Sequence, residues 1–355
     1  KTSSAQDDAL LASYQNQMIV QLRRALVAFV ALSWIAIEVF VCCFTPPTPL
    51  ASPLTVRDAV ARSRSSRCQS THLSMSTDKL WGDHPFLAVL TEPDACASSK
   101  RIDETIHAIE RATADGGVTL VVVRINDDDD DGTSENKWIL LKRLSELKQQ
   151  RLKEGIRDFL LVVNNDVELV LRAISKNIRV DGVHVKEYKA HMIPDIRQTL
   201  QDAVEGTTVS ASNDTKQRQQ GIVIGTSCHS IQSALDTYNL TPRGPDYLFV
   251  GTCYLTQSHP EKISLDQLEG PSLPGRIRDV LFQSFNDDNR SSSGDSDLST
   301  VAKKPPIIFA IGGIDEQNCN EPVKYGADGV ATIRTVMQAD DPREVVKLMN
   351  TAMLN

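Results

Sequence analysis

The chain has 355 residues, of which 41% are hydrophobic, and a formal net charge of −8. This length suffices for one large domain or two ordinary ones with a sizeable core, and the negative charge argues against a nucleic-acid partner. Seven cysteines occur without a CxxC pair or regular spacing, a pattern that fits neither a zinc site nor a disulfide framework.

The first 80 residues differ from the rest of the chain and predict a targeting presequence followed by a linker. Residues 25–44 are almost entirely apolar and follow two arginines. If the protein starts at Met18, this order of a charged region and an apolar region is typical of a signal peptide. The alternative is a transmembrane anchor, since about 20 apolar residues can span a bilayer. A membrane is therefore an expected partner only if residues 25–44 are retained.

The stretch from there to about residue 75 is rich in arginine and serine and poor in acidic residues, as transit peptides are. A signal peptide followed by such a segment, with Phe44 at the junction, resembles the bipartite plastid presequence of algae with complex plastids. We therefore expect a plastid protein whose presequence and disordered linker occupy residues 1–80. The alternative is a disordered linker behind a membrane anchor.

From Pro85 onward, apolar strand candidates alternate with helical patterns. The eight strand candidates are Phe86–Leu90, Thr119–Arg124, Phe159–Val163, Gly182–Val185, Ile222–Ile224, Tyr247–Val250, Ile307–Ile311 and Val330–Ile333. The clearest helical patterns are Asp103–Ala114, Asn136–Lys153, Ser230–Tyr238 and Pro342–Met353. This α/β alternation predicts a single catalytic domain, a (β/α)₈ TIM barrel, over residues 84–355. A doubly wound open sheet is the alternative, although no GxGxxG follows the first strand.

Three polar segments interrupt the alternation, and we interpret all three as solvated loops: Asp127–Gly132, Glu205–Gln220 and Ser284–Lys304. The run Asp127–Asp131 has a second interpretation as a cation site. Consecutive aspartates without further oxygen ligands at suitable spacing coordinate a cation poorly, however, so we favour the solvated loop.

The segment 306–334, PIIFAIGGIDEQNCNEPVKYGADGVATIR, is the most informative stretch of the chain. It predicts a strand, a Gly312-Gly313 turn, a helix with Asp315 as its N-cap, and a second strand. In a (β/α)₈ barrel the loops after strands 7 and 8 commonly bind phosphate. A phosphorylated small molecule is one interpretation, and a tight turn without a ligand is the other.

Chemistry on a barrel lies at the carboxyl ends of its strands. Those ends hold hydrogen-bond donors, two histidines and few carboxylates: Thr91-Glu92, Arg124, Asn164-Asn165, His184, Ser227–Ser230, Gly251–Ser258, Gly312-Gly313 and Arg334.

Seven motifs from residue 121 onward resemble those of the thiamine-phosphate synthase/TenI family, in the family's order. They are VVVRIN (121–126), VVNNDVEL (162–169), DGVHV (181–185), IGTSCHS (224–230), DYLFVGTCYLTQSHPEK (246–262), AIGGI (310–314) and GADGVATI (326–333). The resemblance covers essentially the whole barrel. It implies a (β/α)₈ enzyme of thiamine biosynthesis with a thiazole phosphate as its small-molecule partner, and it is compatible with a homo-oligomer.

The resemblance also assigns substrate and phosphate binding to eight residues: Arg124, Asn164, Thr256, Ser258, Gly312, Gly313, Ile333 and Arg334. Arg334 stands where the family usually has a small serine, so it either contacts the phosphate or points outward. A side chain at Gly313 is expected to occupy the position of the phosphate.

The two branches of the family differ in their use of metal. The synthase joins a pyrimidine diphosphate to a thiazole phosphate with Mg²⁺, which carboxylates at two strand ends hold. Those positions are Asn165 and Lys189 here, so we predict no metal site and no cofactor, with Mg²⁺ required only by an active synthase. If the alignment of this chain with the family shifts in register, Asp166 or Glu187 could take a metal-binding position instead.

The TenI branch aromatises a thiazole carboxylate phosphate by moving a proton, which needs no metal. His229 matches the family histidine after strand 5 and is the candidate catalytic residue. Ser227 and Ser230 lie beside it in sequence and are expected to orient its ring or to bind the ligand. The alternative is a histidine that caps the next helix, and we expect His184 to be a packing or loop-anchoring residue. We favour a TenI-like thiazole tautomerase, an isomerase. The alternatives are an active thiamine-phosphate synthase, a transferase, and a non-catalytic phosphate-ligand sensor.

Overall fold

The computed structural model describes residue 81 and residues 85–124, 133–208, 221–240, 243–258, 260–291 and 304–355. The predicted presequence with its apolar segment 25–44 lies outside these residues, and so does the aspartate run 127–131. In the part of the chain that is described, no helix has the length and apolar character needed to cross a membrane.

Eight parallel strands follow one another in chain order around a closed barrel, in which β1 pairs with both β2 and β8. The strands are β1 (Phe86–Leu90), β2 (Leu120–Val123), β3 (Leu160–Asn164), β4 (Gly182–Val185), β5 (Val223–Cys228), β6 (Tyr247–Val250), β7 (Ile307–Ile311) and β8 (Gly329–Thr332). The predicted (β/α)₈ barrel is therefore confirmed, and the doubly wound alternative is wrong because the sheet closes.

Helices connect the strands on the outside of the barrel. They are α1 (Ser99–Ala112), α2 (Thr133–Lys153), α3 (Val167–Ser175), α4 (Ile193–Thr208), α5 (Ile231–Tyr238), α6 (Leu273–Ser291), α7 (Asn320–Lys324), α8 (Arg334–Met337) and α9 (Pro342–Leu354). Two 3₁₀ segments, Glu187–Met192 and Leu265–Gln267, follow β4 and β6.

Side-chain caps decide where several helices begin. Ser98, Asp166, Ser230 and Asp341 each accept a hydrogen bond from an amide of the first helical turn. Helix α1 consequently begins four residues before the predicted Asp103, because Ser98 supplies the cap.

Other predicted features also differ from the structure. The predicted N-cap at Asp315 is wrong: helix α7 begins at Asn320, and the Asp315 carboxylate instead accepts amide hydrogen bonds in the preceding turn, each at 3.0 Å. Two segments predicted as loops are helical where they begin, because α4 continues to Thr208 and α6 to Ser291 without a proline to stop them.

Aromatic rings fill the barrel interior, where alternate residues of the strands point. Tyr247, Phe249 and Phe309 pack with ring centroids 5.1–6.0 Å apart, and Trp81 lies against two of them. The Tyr247 ring covers Gly225 so closely that a Cβ there would lie 2.0 Å from it. Glycine at position 225 is thus a packing requirement of β5.

A repeated ion pair closes the amino-terminal end of the barrel. An aspartate immediately before each of β4, β6 and β8 accepts an amide hydrogen bond from the preceding strand and pairs with a cation of an outer helix. The pairs are Asp181–Lys148, Asp246–Arg197 and Asp328–Arg278, at 3.0, 2.9 and 3.0 Å. Three motif aspartates therefore serve stability at the end of the barrel opposite the site.

Candidate active site

A cavity of about 700 Å³ opens where the carboxyl ends of the strands meet. Its lining includes all nine residues predicted to bind substrate or carry a proton: Arg124, Asn164, His229, Thr256, Ser258, Gly312, Gly313, Ile333 and Arg334. These residues come from six strand ends that only a closed barrel brings together. Their shared location agrees with the predicted site, whereas the role of each residue remains a prediction.

Arg124 follows β2 and lines the cavity, and two hydrogen bonds with Thr91 hold its backbone in place. Its N–H donates to the Thr91 hydroxyl at 2.8 Å, and that hydroxyl donates to the Arg124 carbonyl at 3.3 Å. Burial, with a smaller contribution from Arg334, lowers the pKa of Arg124. Within the described residues the guanidinium forms no ion pair, so an anion in the cavity would be its natural partner.

Arg334 begins helix α8 at the end of β8 and points across the cavity to the loop after β6. Its guanidinium donates to the Thr256 hydroxyl at 3.0 Å and to the Ser258 hydroxyl at 3.4 Å. The outward orientation considered for Arg334 is therefore wrong. Two guanidinium groups and two hydroxyls converge on one region of the cavity, an arrangement that suits phosphate oxygens.

The Gly312-Gly313 turn forms the adjoining wall of the cavity. Both glycines have positive φ, 100° and 66°, a conformation that other residues rarely adopt. A Cβ at Gly313 would lie 2.6 Å from the Leu255 carbonyl oxygen. A side chain there would therefore collide with the loop after β6, so the expected effect on the phosphate position would be indirect.

His184 lies at the cavity floor and makes two buried hydrogen bonds. Its Nδ1 is 3.1 Å from the Tyr247 hydroxyl, its Nε2 is 3.0 Å from the Ser227 hydroxyl, and its ring stacks on Phe249 at 4.7 Å. Burial, with a smaller contribution from Arg124, lowers the pKa of His184 to about 3. It is thus a neutral imidazole with both nitrogens engaged, consistent with a packing residue.

His229 follows β5 and is the more exposed of the two histidines, with 43% of its side chain accessible. Its Nδ1 hydrogen-bonds to the Gly251 carbonyl oxygen, and since a carbonyl only accepts, Nδ1 carries the hydrogen. Its Nε2 lies 3.9 Å from a carboxylate oxygen of Glu187, another lining residue. His229 thus presents the nitrogen lone pair of Nε2 on the cavity wall.

The two serines expected to assist His229 have other partners. Ser227 hydrogen-bonds to His184, and Ser230 caps α5 through the amide of Ser233. The expectation that they orient His229 is therefore wrong, whereas Ser227 lines the cavity and its contact with a ligand stays a prediction. The helix cap is also Ser230 itself, so the interpretation of His229 as that cap is wrong too.

Comparison with known protein families identifies the family of this chain. The model of the family described as thiamine monophosphate synthase (TMP-TENI) matches residues 89–272, just over half of the chain. The chain belongs to this family. The resemblance inferred from the seven motifs is confirmed, and with it membership of a family of enzymes.

Curated relatives carry the same name as the family. A thiamine-phosphate synthase of Bacillus velezensis is 27% identical over 244 residues, covering 69% of this chain and 82% of that protein. The synthase of Geobacillus thermodenitrificans is 26% identical, covering 72% and 88%. Among solved structures, thiamine phosphate pyrophosphorylase from Pyrococcus furiosus matches with a TM-score of 0.47 and 20% identity, covering 76% of this chain and 96% of that one.

The two positions at which the family resemblance implies Mg²⁺ carboxylates do not fit that metal. Asn165 offers an amide, and Lys189 is a cation whose ammonium lies 5.7 Å from the Tyr188 ring centroid. Asp166, considered as a substitute ligand, is used as the cap of α3. Glu187 does line the cavity, but no cluster of three or more metal-binding side chains is found among the described residues.

Sequence reasoning missed an ion pair behind the cavity wall. Lys262 and Glu269 lie in the long segment after β6, and the Glu269 carboxylate is 3.6 Å from Nδ1 of His229. Neither residue follows a strand directly, so neither belongs to the strand-end residues from which the site was predicted. Glu269 lies 40 residues beyond His229 in sequence, and only the fold brings the two together.

Proposed function

We propose that this barrel binds a thiazole phosphate and acts as a metal-independent thiazole tautomerase of the TenI type. The observation that carries the proposal is that His229 and two guanidinium groups, those of Arg124 and Arg334, line one cavity. One side of the cavity suits a phosphate, and the other offers an imidazole nitrogen that can exchange a proton with the ligand.

The proposed reaction is a proton shift, in which one proton leaves the ligand and one returns to it. Nε2 of His229 would take a proton from the non-aromatic thiazole and return one at another atom of the same conjugated system, leaving the ring aromatic. No electron acceptor or leaving group is involved. Arg124 and Arg334 would hold the phosphate throughout, so that the ring stays in reach of the imidazole.

Asn165 and Lys189 support the tautomerase over the synthase. The synthase must neutralise a diphosphate leaving group, and neither residue supplies an anionic ligand for the Mg²⁺ that does so in the family. A proton shift on a monophosphate has no such requirement.

The experiment is to offer the purified protein both substrate sets, each with Mg²⁺ and with EDTA. The proposal expects conversion of the thiazole carboxylate phosphate tautomer at the same rate in both conditions, and no thiamine phosphate. Thiamine phosphate formation that requires Mg²⁺ would reject the proposal in favour of the synthase.

The synthase remains the second candidate because the curated relatives are named thiamine-phosphate synthases and because Glu187 places one carboxylate on the cavity wall. A non-catalytic sensor is the third outcome of the same experiment. It would bind the thiazole phosphate in calorimetry and turn over neither substrate set.

We also propose that residues 18 to about 75 direct the chain to a plastid and are absent from the mature protein. The support is the sequence pattern alone: two arginines, an apolar stretch, and a basic, serine-rich, acid-poor segment that cannot build a core. Retention of residues 25–44 as a membrane anchor is the alternative.

A further inference from the structure

An ion pair lies directly behind His229, outside the cavity. The Lys262 ammonium is 2.7 Å from both carboxylate oxygens of Glu269 and 3.4 Å from the Thr252 hydroxyl. The Thr252 amide donates to Glu269 at 2.5 Å. Both side chains of the pair are about four-fifths buried, with 20% and 19% accessible. Three donor contacts therefore hold the Glu269 carboxylate in one place.

The fixed carboxylate faces one nitrogen of the imidazole. Nδ1 of His229 lies 3.6 Å from Glu269 and is hydrogen-bonded to the Gly251 carbonyl oxygen. Two acceptors thus surround Nδ1, which favours the tautomer with hydrogen on Nδ1 and a lone pair on Nε2. The same acceptors would stabilise the cation that forms when Nε2 takes a proton.

Glu269 is a carboxylate at neutral pH. Burial alone would raise its pKa, but the hydrogen bonds from Lys262 and from the Thr252 amide outweigh burial, so the pKa lies below its usual range. Among the residues that the structure describes, two further charged groups lie near the ring: Lys262, which partly neutralises Glu269, and Glu187, 3.9 Å from Nε2 on the cavity side.

We propose that Glu269, anchored by Lys262 and the Thr252 amide, is a positioning residue that supports the tautomer fixed by the Gly251 carbonyl and stabilises the protonated form of His229. Glu269 does not line the cavity, so it acts on the ligand only through the imidazole. The inference rests on the proposed function of His229 as the proton carrier. A purely structural pair that only fastens the loop after β6 would leave the ionisation of the ring unchanged.

The test follows His229 itself as well as turnover. In the full chain labelled with ¹⁵N-histidine, NMR reports the tautomer and the titration midpoint of the ring, with His229→Asn to assign its signal. Glu269→Gln keeps an acceptor for Thr252 and removes the charge. We expect its ring midpoint to fall by about half a pH unit, because an opposite charge within ~4–6 Å favours the protonated form and Lys262 offsets part of it.

Turnover and binding supply the second readout. Glu269→Gln should lower kcat about tenfold, because the protonated imidazole loses a stabilising carboxylate, and should move the acidic limb of the pH profile to lower pH together with the ring midpoint. Affinity for the thiazole phosphate should stay within about twofold, because Glu269 does not line the cavity and both guanidinium groups, those of Arg124 and Arg334, follow other strands. Lys262→Met should shift the ring midpoint in the opposite direction, since it leaves the Glu269 charge unneutralised.

Asp266→Asn, an exposed change in the same loop, is the matched control and should alter none of these values. An unchanged ring midpoint in Glu269→Gln, or shifts in the same direction in both variants, would overturn the positioning role. If the midpoints shift as expected but no thiazole substrate is turned over, the positioning role stands and the proposed function fails.

Discussion

Arg124 offers the sharpest test of the phosphate site, because it should change affinity and stability in opposite directions. Its guanidinium is largely buried, faces a second guanidinium, and forms no ion pair within the described residues. We consider the substitution Arg124→Met, which keeps the apolar stem of the side chain and removes its charge and donors.

The affinity change follows from the contacts that would be lost. A hydrogen bond from a charged donor to a phosphate oxygen contributes about 1.5–3 kcal/mol. Losing one such contact should raise the Kd for the thiazole phosphate roughly 10- to 150-fold, since each 1.4 kcal/mol is about tenfold.

The stability change has the opposite sign. Folding lowers the pKa of Arg124, so the folded state disfavours the charge that the unfolded chain carries freely, at every pH at which arginine is protonated. Removing that charge should increase the free energy of unfolding by about 1 kcal/mol, the scale of a buried unpaired polar group. For a domain of this size the melting temperature should rise about 2–4 °C.

Calorimetry with the thiazole phosphate and thermal denaturation without ligand measure the two effects. Arg276→Met, on the exposed face of α6, is the control and should change neither quantity appreciably. Unchanged affinity in a folded Arg124→Met protein would refute the assignment of Arg124 to the phosphate. A lower melting temperature would show that the guanidinium is already paired in the free protein.

The remaining predictions concern the proton carrier, the metal and sorting. His229→Ala should lower turnover by roughly 10²–10⁴-fold with nearly intact affinity in calorimetry, and a retained rate would remove His229 from the chemistry. Any activity should survive EDTA because Asn165 and Lys189 offer no carboxylate; loss with EDTA and recovery with Mg²⁺ would return the synthase to first place. A fluorescent protein fused behind residues 18–75 should accumulate in a plastid, whereas extraction of the full chain only by detergent would favour an anchor.

The strands could be predicted closely because each is short, apolar and bounded by residues that stop it. β1, β4, β6 and β7 have the predicted bounds, and all four are buried runs that end at glycine, proline or polar residues. β5 extends four residues beyond its prediction, to Cys228, because its second half pairs with β6 despite its small polar residues. Pairing partners, which a single segment does not reveal, decided that boundary.

The lining of the cavity could be predicted because a closed barrel gathers its strand ends whatever the loops do. The partners of the lining residues could not. Ser227 lies on β5 and His229 directly beyond its end, two residues apart. Ser227 nevertheless hydrogen-bonds to His184 on β4. His229 instead lies beside Glu269 of the loop after β6. Adjacent strand-end residues point in different directions, so closeness in sequence misled the assignment of the serines.

Asn165 shows how this chain can depart from the family's metal site without disturbing the barrel. Its φ is +55°, a left-handed conformation in which asparagine and aspartate are favoured over other non-glycine residues. The backbone N–H of Asn165 also donates to the His184 carbonyl oxygen at 2.7 Å, which links the ends of β3 and β4. Asparagine meets the same backbone requirement as aspartate and differs in charge. The position is therefore one at which charge can change while the fold stays the same.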